Sequence, residues 1–236
     1  MSTTKDKAIR KVMDDFEGLS KLTLQQMELL AKIIASERTI IPAENLKQIK
    51  KNERKIDAYE LKISKRIINT IALYKPVASE LRRIMASYRM ITNLERIGDL
   101  IMKIVNVLKK LKDPNLLLLN SKDISKMLSV STEMISKAIF SFTNNDKEAA
   151  LWTIKSDGIV DDLNRHIFKN SIIHVEKFPD ELHKRIINFI EIKNIISSIE
   201  RIADHAAHIA EASIYAYEGT DIRHQALLKD NVEMTT

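Results

Sequence analysis

Apolar residues return at steps of three and four from the start of the chain. Ile9, Val12, Phe16, Leu19, Met27, Leu30 and Ile34 fall near one face of a helix, with Thr23 in the gap. The same rhythm recurs between breaks. Pro42, Pro76, Pro114 and Pro179 all lie between periodic segments, where a residue that lacks an N–H and restricts its predecessor does least harm. Two further breaks carry polar capping residues, at Asn120-Ser121 and at Asn144-Asn145, where Asn145 and Glu148 have capping-box spacing. The pattern predicts six helices, over 5–36, 44–74, 77–111, 121–142, 146–175 and 179–218, with a flexible tail over 219–236. Short connections between long helices favour antiparallel neighbours and up-down bundles.

A second periodicity is written in acids. Glu53 and Asp57, Glu95 and Asp99, Asp157 and Asp161, and Glu200 and Asp204 are each four residues apart, so each pair shares one helix face. One such pair in a charged helical protein signifies only a solvated surface. Four of them repeat: Glu53 to Asp157 spans 104 positions and Glu95 to Glu200 spans 105. Leu94-Glu-Arg-Ile-Gly-Asp99 and Ile199-Glu-Arg-Ile-Ala-Asp204 match in character position by position. The chain therefore reads as a tandem duplication, all-α, of two three-helix bundles over 5–112 and 120–218.

The phase of the stripes places these acids inward. In the second helix Ile49, Ile56, Ile63 and Ile67 leave the intervening core steps at Glu53 and Glu60. In the third, Leu81, Ile84, Tyr88 and Ile91 lead to Glu95, Asp99 and Met102. The fifth runs Ala150, Ile154, Asp157, Asp161, Asn164, Phe168, and the sixth Phe189, Ile192, Ile196, Glu200, Asp204, Ala207. On this reading all four pairs occupy core positions. Buried carboxylates need compensation. Arg96 and Arg201 sit one residue along, about 100° round the helix and pointing outward. Protonation compensates at low pH only, whereas metal cations do so at neutral pH, and several acidic oxygens on two facing helices form a site for hard or borderline cations. The candidate ligands are Glu53, Asp57, Glu95, Asp99, Asp157, Asp161, Glu200 and Asp204. Glu60, Asn164, His205 and His208 lie beside them as second-layer candidates. Gly98 and Gly158, inside two of the motifs, suggest close backbone approach.

Composition narrows the chemistry. The 236 residues include no cysteine, which excludes disulfides, thiolate nucleophiles and zinc ribbons and leaves oxygen or imidazole as metal donors. Four glycines and four prolines make a chain poor in turns. The start lacks the apolar core of a secretory signal and no segment approaches a membrane span, so we expect a cytoplasmic protein. The net charge of +6 is dispersed rather than blocked. Arg82, Arg89, Arg96 and Lys103 recur every seven residues as a solvated stripe. No helix-turn-helix spacing or aromatic-basic platform accompanies them, so no nucleic-acid partner is expected.

With these motifs, and with Lys75-Pro-Val-Ala-Ser-Glu-Leu-Arg82 before the first Leu-Glu-Arg-Ile-Gly-Asp, the chain resembles the PhoU family over about 16–218. The resemblance implies two similar three-helix bundles with multinuclear metal clusters on the four acid motifs, iron or zinc foremost and manganese, nickel or magnesium as alternatives. It implies no enzymatic activity but negative regulation of phosphate metabolism and cellular phosphate homeostasis. The implied partners are a phosphate ABC transporter, a membrane histidine kinase and a second copy of the chain in a homodimer, with only peripheral contact to membrane proteins. Two departures stand out. Leu100 follows Asp99 where the family often has His, and Phe178-Pro-Asp-Glu-Leu182 is a looser opening of the sixth helix, so the first-half site is expected to bind metal more weakly.

Two other functions use the same features. An all-helical nucleotide pyrophosphohydrolase also bears inward carboxylates that hold magnesium, but it needs a base pocket that the sequence does not show. An accessory protein of a low-affinity phosphate transporter would keep the fold and change the partner. A ferritin-like di-iron site is disfavoured, because no glutamate has a histidine three residues later.

Overall fold

The computed structural model describes residues 3–36, 41–111, 114–176 and 182–222. Among the described residues there are six long helices: α1 Thr4–Ala35, α2 Ala43–Tyr74, α3 Ala78–Leu108, α5 Ser121–Asn144, α6 Lys147–Glu176 and α7 Leu182–Glu218. A short α4, Asn115–Leu119, follows Pro114 and was not expected. It is one turn long, below the length at which periodicity can be read, and buries Leu116. The expected start of the sixth helix at Pro179 lies outside the described residues, as does most of the expected tail.

Local chemistry sets the ends. Thr3 and Asp6 form a reciprocal capping box on α1, the Asp6 amide donating to Thr3 Oγ1 at 3.1 Å and the Thr3 amide to Asp6 Oδ2 at 2.8 Å. At the α5–α6 junction the expected capping box gives way to two residues with separate tasks. Asn145 closes α5 in the left-handed conformation, at φ 54°, and the Oδ1 of Asp146 accepts the Ala149 amide to start α6. Asn120, expected as a cap, is buried. Its amide donates to the Leu116 carbonyl at 2.9 Å and to Ser171 Oγ on α6 at 3.3 Å, tying α4 to α6.

Each repeat is a three-helix unit, α1–α3 and α5–α7, and the two share one continuous apolar core. The repeats meet chiefly along α3 and α7, and α1 also packs on α5, where Phe16 and Phe142 stand edge to face at 5.1 Å. Central α3 carries two buried strips. One runs Ile84, Ser87, Ile91, Leu94, Gly98, Ile101, Val105, Leu108, and the other Met90, Ile97, Ile104. On α7 small residues such as Ala203, Ala206 and Ala210 keep the crossing close.

These strips correct the expected register. In α2 the buried line is Ile49, Asn52, Ile56, Ile63, Ile67, Thr70, so Asn52 rather than Glu53 fills the step after Ile49. In α3 the line passes through Leu94 and Gly98, and Tyr88 is 40% exposed. The acids stand one position round, at the edge of the core: Glu53, Glu95, Asp157, Asp161, Glu200 and Asp204 are partly exposed, and Asp57 and Asp99 are exposed. A helix stripe can step by three or by four, and isoleucines seven apart do not say which. The duplication survives the correction. Leu94, Ile97, Gly98 and Ile101 are buried like Ile199, Ile202, Ala203 and Ala206, and Arg96 is exposed like Arg201.

The basic stripe of α3 is also more than solvated surface. The Arg89 guanidinium lies over the Tyr215 ring at 5.3 Å and 3.9 Å from Asp221, and Arg82 packs beside Gly219, whose φ of +76° ends α7. These contacts fasten the last turn of α7 to the first repeat.

The two motif glycines differ. A Cβ on Gly98 would stand 3.1 Å from Glu53 Oε2 and 3.3 Å from Ile56 Cδ1, so this glycine does allow α2 to approach, whereas a Cβ on Gly158 would meet nothing within 4 Å. Removing a mid-helix glycine gains up to about 1 kcal/mol where space permits. Gly158→Ala is therefore expected to raise the unfolding free energy by about 0.5–1 kcal/mol, and Gly98→Ala to gain less than that or to lose stability. Urea denaturation of the two variants checks this, and equal gains would contradict the close approach at Gly98.

Candidate metal centre

Each half assembles its acids from two neighbouring helices. In the first, α2 presents Glu53, Asp57 and Glu60 and α3 presents Glu95 and Asp99. Gly98 removes the side chain that would keep Glu53 away. Gln26, fully buried on α1, donates to the Ile49 carbonyl at 3.1 Å and reaches Glu53 Oε2 at 3.5 Å. Burial, together with the charges of Asp57, Asp99 and Glu95 and a hydrogen bond shared with Asp99, pushes the Glu53 carboxyl up to about 8. Glu95 is raised for the same reasons, burial first and then Asp99, Glu60 and Asp57. The first-half acids thus lie within each other's fields.

The second half is built alike. Burial pushes Asp157 up to about 6, reinforced by Asp204, Asp161, Glu200 and Glu211. Glu200 is raised by burial and by Asp161 and Asp204, against a hydrogen bond from Asn164 that favours its ionised form. Asp204 is raised by burial and Asp161, with His208 and Arg201 opposing. Asn164 and Glu60 stand beside the clusters, Asn164 bonded to Glu200 and Glu60 within the field of Glu95. The histidines divide. His208 acts on Asp204, whereas His205 turns across the repeat interface to α3, its Nδ1 2.9 Å from Asn93 Oδ1. Burial, with His208, Arg96 and Arg201 nearby, lowers the His205 imidazole to about 4 and keeps it neutral.

Among the described residues no group of three or more His, Asp or Glu side chains is arranged, as it stands, to hold a metal ion. The donor set nevertheless fits one. Glu53 Oε1 and Asp157 Oδ1 are both buried without a hydrogen-bond partner. They occupy the same position of the two repeats, and each is surrounded by further carboxylates. Buried oxygens of this kind are ordinarily satisfied, and an all-oxygen set suits hard or borderline cations. Sequence reasoning missed Gln26, Asn93 and Glu211. Gln26 had one signal: with Thr23, also fully buried, it is a polar residue inside the apolar stripe of α1.

Residues 16–108 and 124–213 match the family model described as the PhoU domain, once in each repeat. The chain belongs to the PhoU family. It is 30% identical over 210 residues to the "Phosphate-specific transport system accessory protein PhoU homolog" of Borreliella burgdorferi, covering 86% of this chain and 92% of that protein. It is 29% identical over 209 residues to PhoU homolog 1 of Methanothermobacter thermautotrophicus, also named as an accessory protein, covering 89% and 92%. The crystal structure of PhoU from Pseudomonas aeruginosa superposes with a TM-score of 0.80 at 23% identity, over 91% of this chain and 99% of that one. The PhoU structure from Streptococcus pneumoniae gives 0.80 at 22%, over 93% and 99%. At these identities the structural likeness establishes the PhoU fold.

The raised carboxyls make the metal-free protein sensitive to pH. Between the ordinary glutamate value of 4.5 and about 8 the folded state holds a proton on Glu53 that the unfolded chain has lost, so stability falls as pH rises through that window. Asp157 acts in the same direction between 3.8 and about 6. Glu53→Gln should flatten the upper part of the profile in chelator-treated protein. Unfolding followed at several pH values checks it, and an unchanged slope above pH 6 in that variant would contradict the assignment.

Proposed function

We propose that this chain is a metal-binding regulator of phosphate uptake and phosphate signalling that works by protein contact and not as an enzyme. Family membership and the accessory role named for its relatives support the phosphate-transport setting. The observation that carries the metal-binding part is the pair of equivalent orphaned oxygens, Glu53 Oε1 and Asp157 Oδ1. In the first repeat Glu53, Asp57, Glu95 and Asp99 hold the metal, and in the second Asp157, Asp161, Glu200 and Asp204 do. Iron or zinc are the leading occupants, and such a cation would supply positive charge that offsets the mutual repulsion of the acids these residues hold across each helix pair.

With that repulsion offset, the packing of α2 against α3 and of α6 against α7 would be firmer. Because α3 and α7 pack along each other, a firmer helix pair in one repeat would also steady the other. The surface presented to a phosphate transporter and a sensor kinase is thereby held in one shape. The protein acts on the cytoplasmic side as a homodimer, and no described helix is long and apolar enough to cross a membrane.

Asp99→Asn and Asp204→Asn keep the side-chain shape while removing charge from each cluster. Combined, they are expected to leave the fold intact and to release phosphate uptake from restraint in a cell lacking the native protein, while the exposed control Lys50→Gln leaves restraint in place. Phosphate uptake and metal content measured together check this. A double variant that has lost its metal and still restrains uptake like the parent would contradict the functional role of the clusters.

A further inference from the structure

The first repeat carries a groove on the side of α2 away from the acids. About 510 Å³ of space opens between the N-terminal half of α1 and the C-terminal half of α2, within the size range of small-ligand sites. Lys7 and Lys11, one turn apart on α1, face Lys62, Lys65 and Arg66 on α2, and no carboxylate lines the groove. Asp15, at its end, takes up part of this charge, with Oδ1 2.9 Å from Lys62 Nζ and Oδ2 2.7 Å from Arg66 Nη1. The Arg66 guanidinium also donates to the Lys11 carbonyl at 3.0 Å, which fixes its position. Lys7, Lys11 and Lys65 are exposed and have no ion pair among the described residues. Leu73, Tyr74 and the lysine stems give the groove an apolar wall beneath its charged rim.

The duplication provides an internal comparison. At the offset of 104 that superimposes the acid motifs, Lys62 becomes His166, Arg66 becomes Asn170 and Asn69 becomes Ile173, and only Lys65 has a basic counterpart, Lys169. The acid that faces this position is kept, Asp123 Oδ2 lying 3.6 Å from His166 Nε2 where Asp15 faces Lys62 in the first repeat. The repeats keep their acids and differ in these cations. Helix geometry shared by both halves therefore does not account for the groove's charge.

We propose that the α1–α2 groove of the first repeat binds an oligophosphate anion, a linear chain of two or three phosphates either free or as part of a nucleotide. Arg66, pre-oriented by Asp15 and the Lys11 carbonyl, offers a planar fork to one phosphate, and the ammoniums of Lys7, Lys11 and Lys65, with Lys62 held at the Asp15 end, close round the others. A nucleoside, where present, lies against Leu73 and Tyr74. This site is separate from the acid clusters and needs no metal.

The test is calorimetric titration of metal-free protein, in chelator and at physiological salt, with tripolyphosphate, magnesium-free ATP and orthophosphate. One tripolyphosphate per chain is expected, with orthophosphate far weaker. Combining Lys7→Gln, Lys11→Gln and Lys65→Gln should weaken binding by about tenfold or more. Removing the same charge elsewhere on α2, with Lys47→Gln, Lys50→Gln and Lys51→Gln, should change it by less than about twofold. The single variant Lys65→Glu provides a second, less extensive change with the same expected direction, and thermal melts confirm folding. ATP binding more tightly than tripolyphosphate assigns the nucleotide, and equal or weaker binding assigns the free chain. Absence of binding at physiological salt, or equal losses in the groove and control variants, would overturn the proposal.

Discussion

Repulsion among half-buried carboxylates is the constraint round which each repeat is organised. Glu53 and Asp157 are pulled out of water by the helices that surround them, and each then faces several other acids. An apolar core would avoid that cost, and a fully exposed surface would dilute it. The fold does neither. It holds the acids at the core's edge, close enough to interact and open enough to exchange with solvent. Gly98 brings α2 near α3, and Gln26 donates from α1 into the same place.

Duplication sets two copies of this arrangement side by side on one shared core. The α3–α7 packing that joins the halves uses the same two helices that carry Glu95, Asp99, Glu200 and Asp204, so the acids of one repeat lie on the opposite side of a helix from its contact with the other. His205 belongs to that joint rather than to an acid cluster. Burial keeps it neutral, and its bond to Asn93 ties α7 to α3. Arg89 and Arg82 add a second fastening at the end of α7.

Much of this was legible in the chain before its fold was described. The prolines and the 3.6-residue rhythm located the six long helices within a few residues, and the spacing of the Glu-Arg-Ile-x-Asp motifs exposed the repeat. The depth of the acids was not legible. Whether Ile49 is followed inward by Asn52 or by Glu53 depends on a step of three or four, which the contacts of three packed helices decide and the stripe alone does not. Gly158 looked like Gly98 in sequence because the pressure on a missing Cβ comes from the neighbouring helix. Asn145, expected to start α6, ends α5 instead and leaves that start to Asp146, because asparagine suits both a left-handed helix end and a helix start.

The central claim is that each repeat holds its own metal through its own four acids. Elemental analysis of protein purified without chelator tests it most directly, comparing the parent with a variant in which Asp157, Asp161, Glu200 and Asp204 are replaced by their amides. The parent should carry metal, and the variant should keep the share bound by Glu53, Asp57, Glu95 and Asp99 while losing the rest. A parent free of metal, or a folded variant with the parent's full metal content, would contradict the claim.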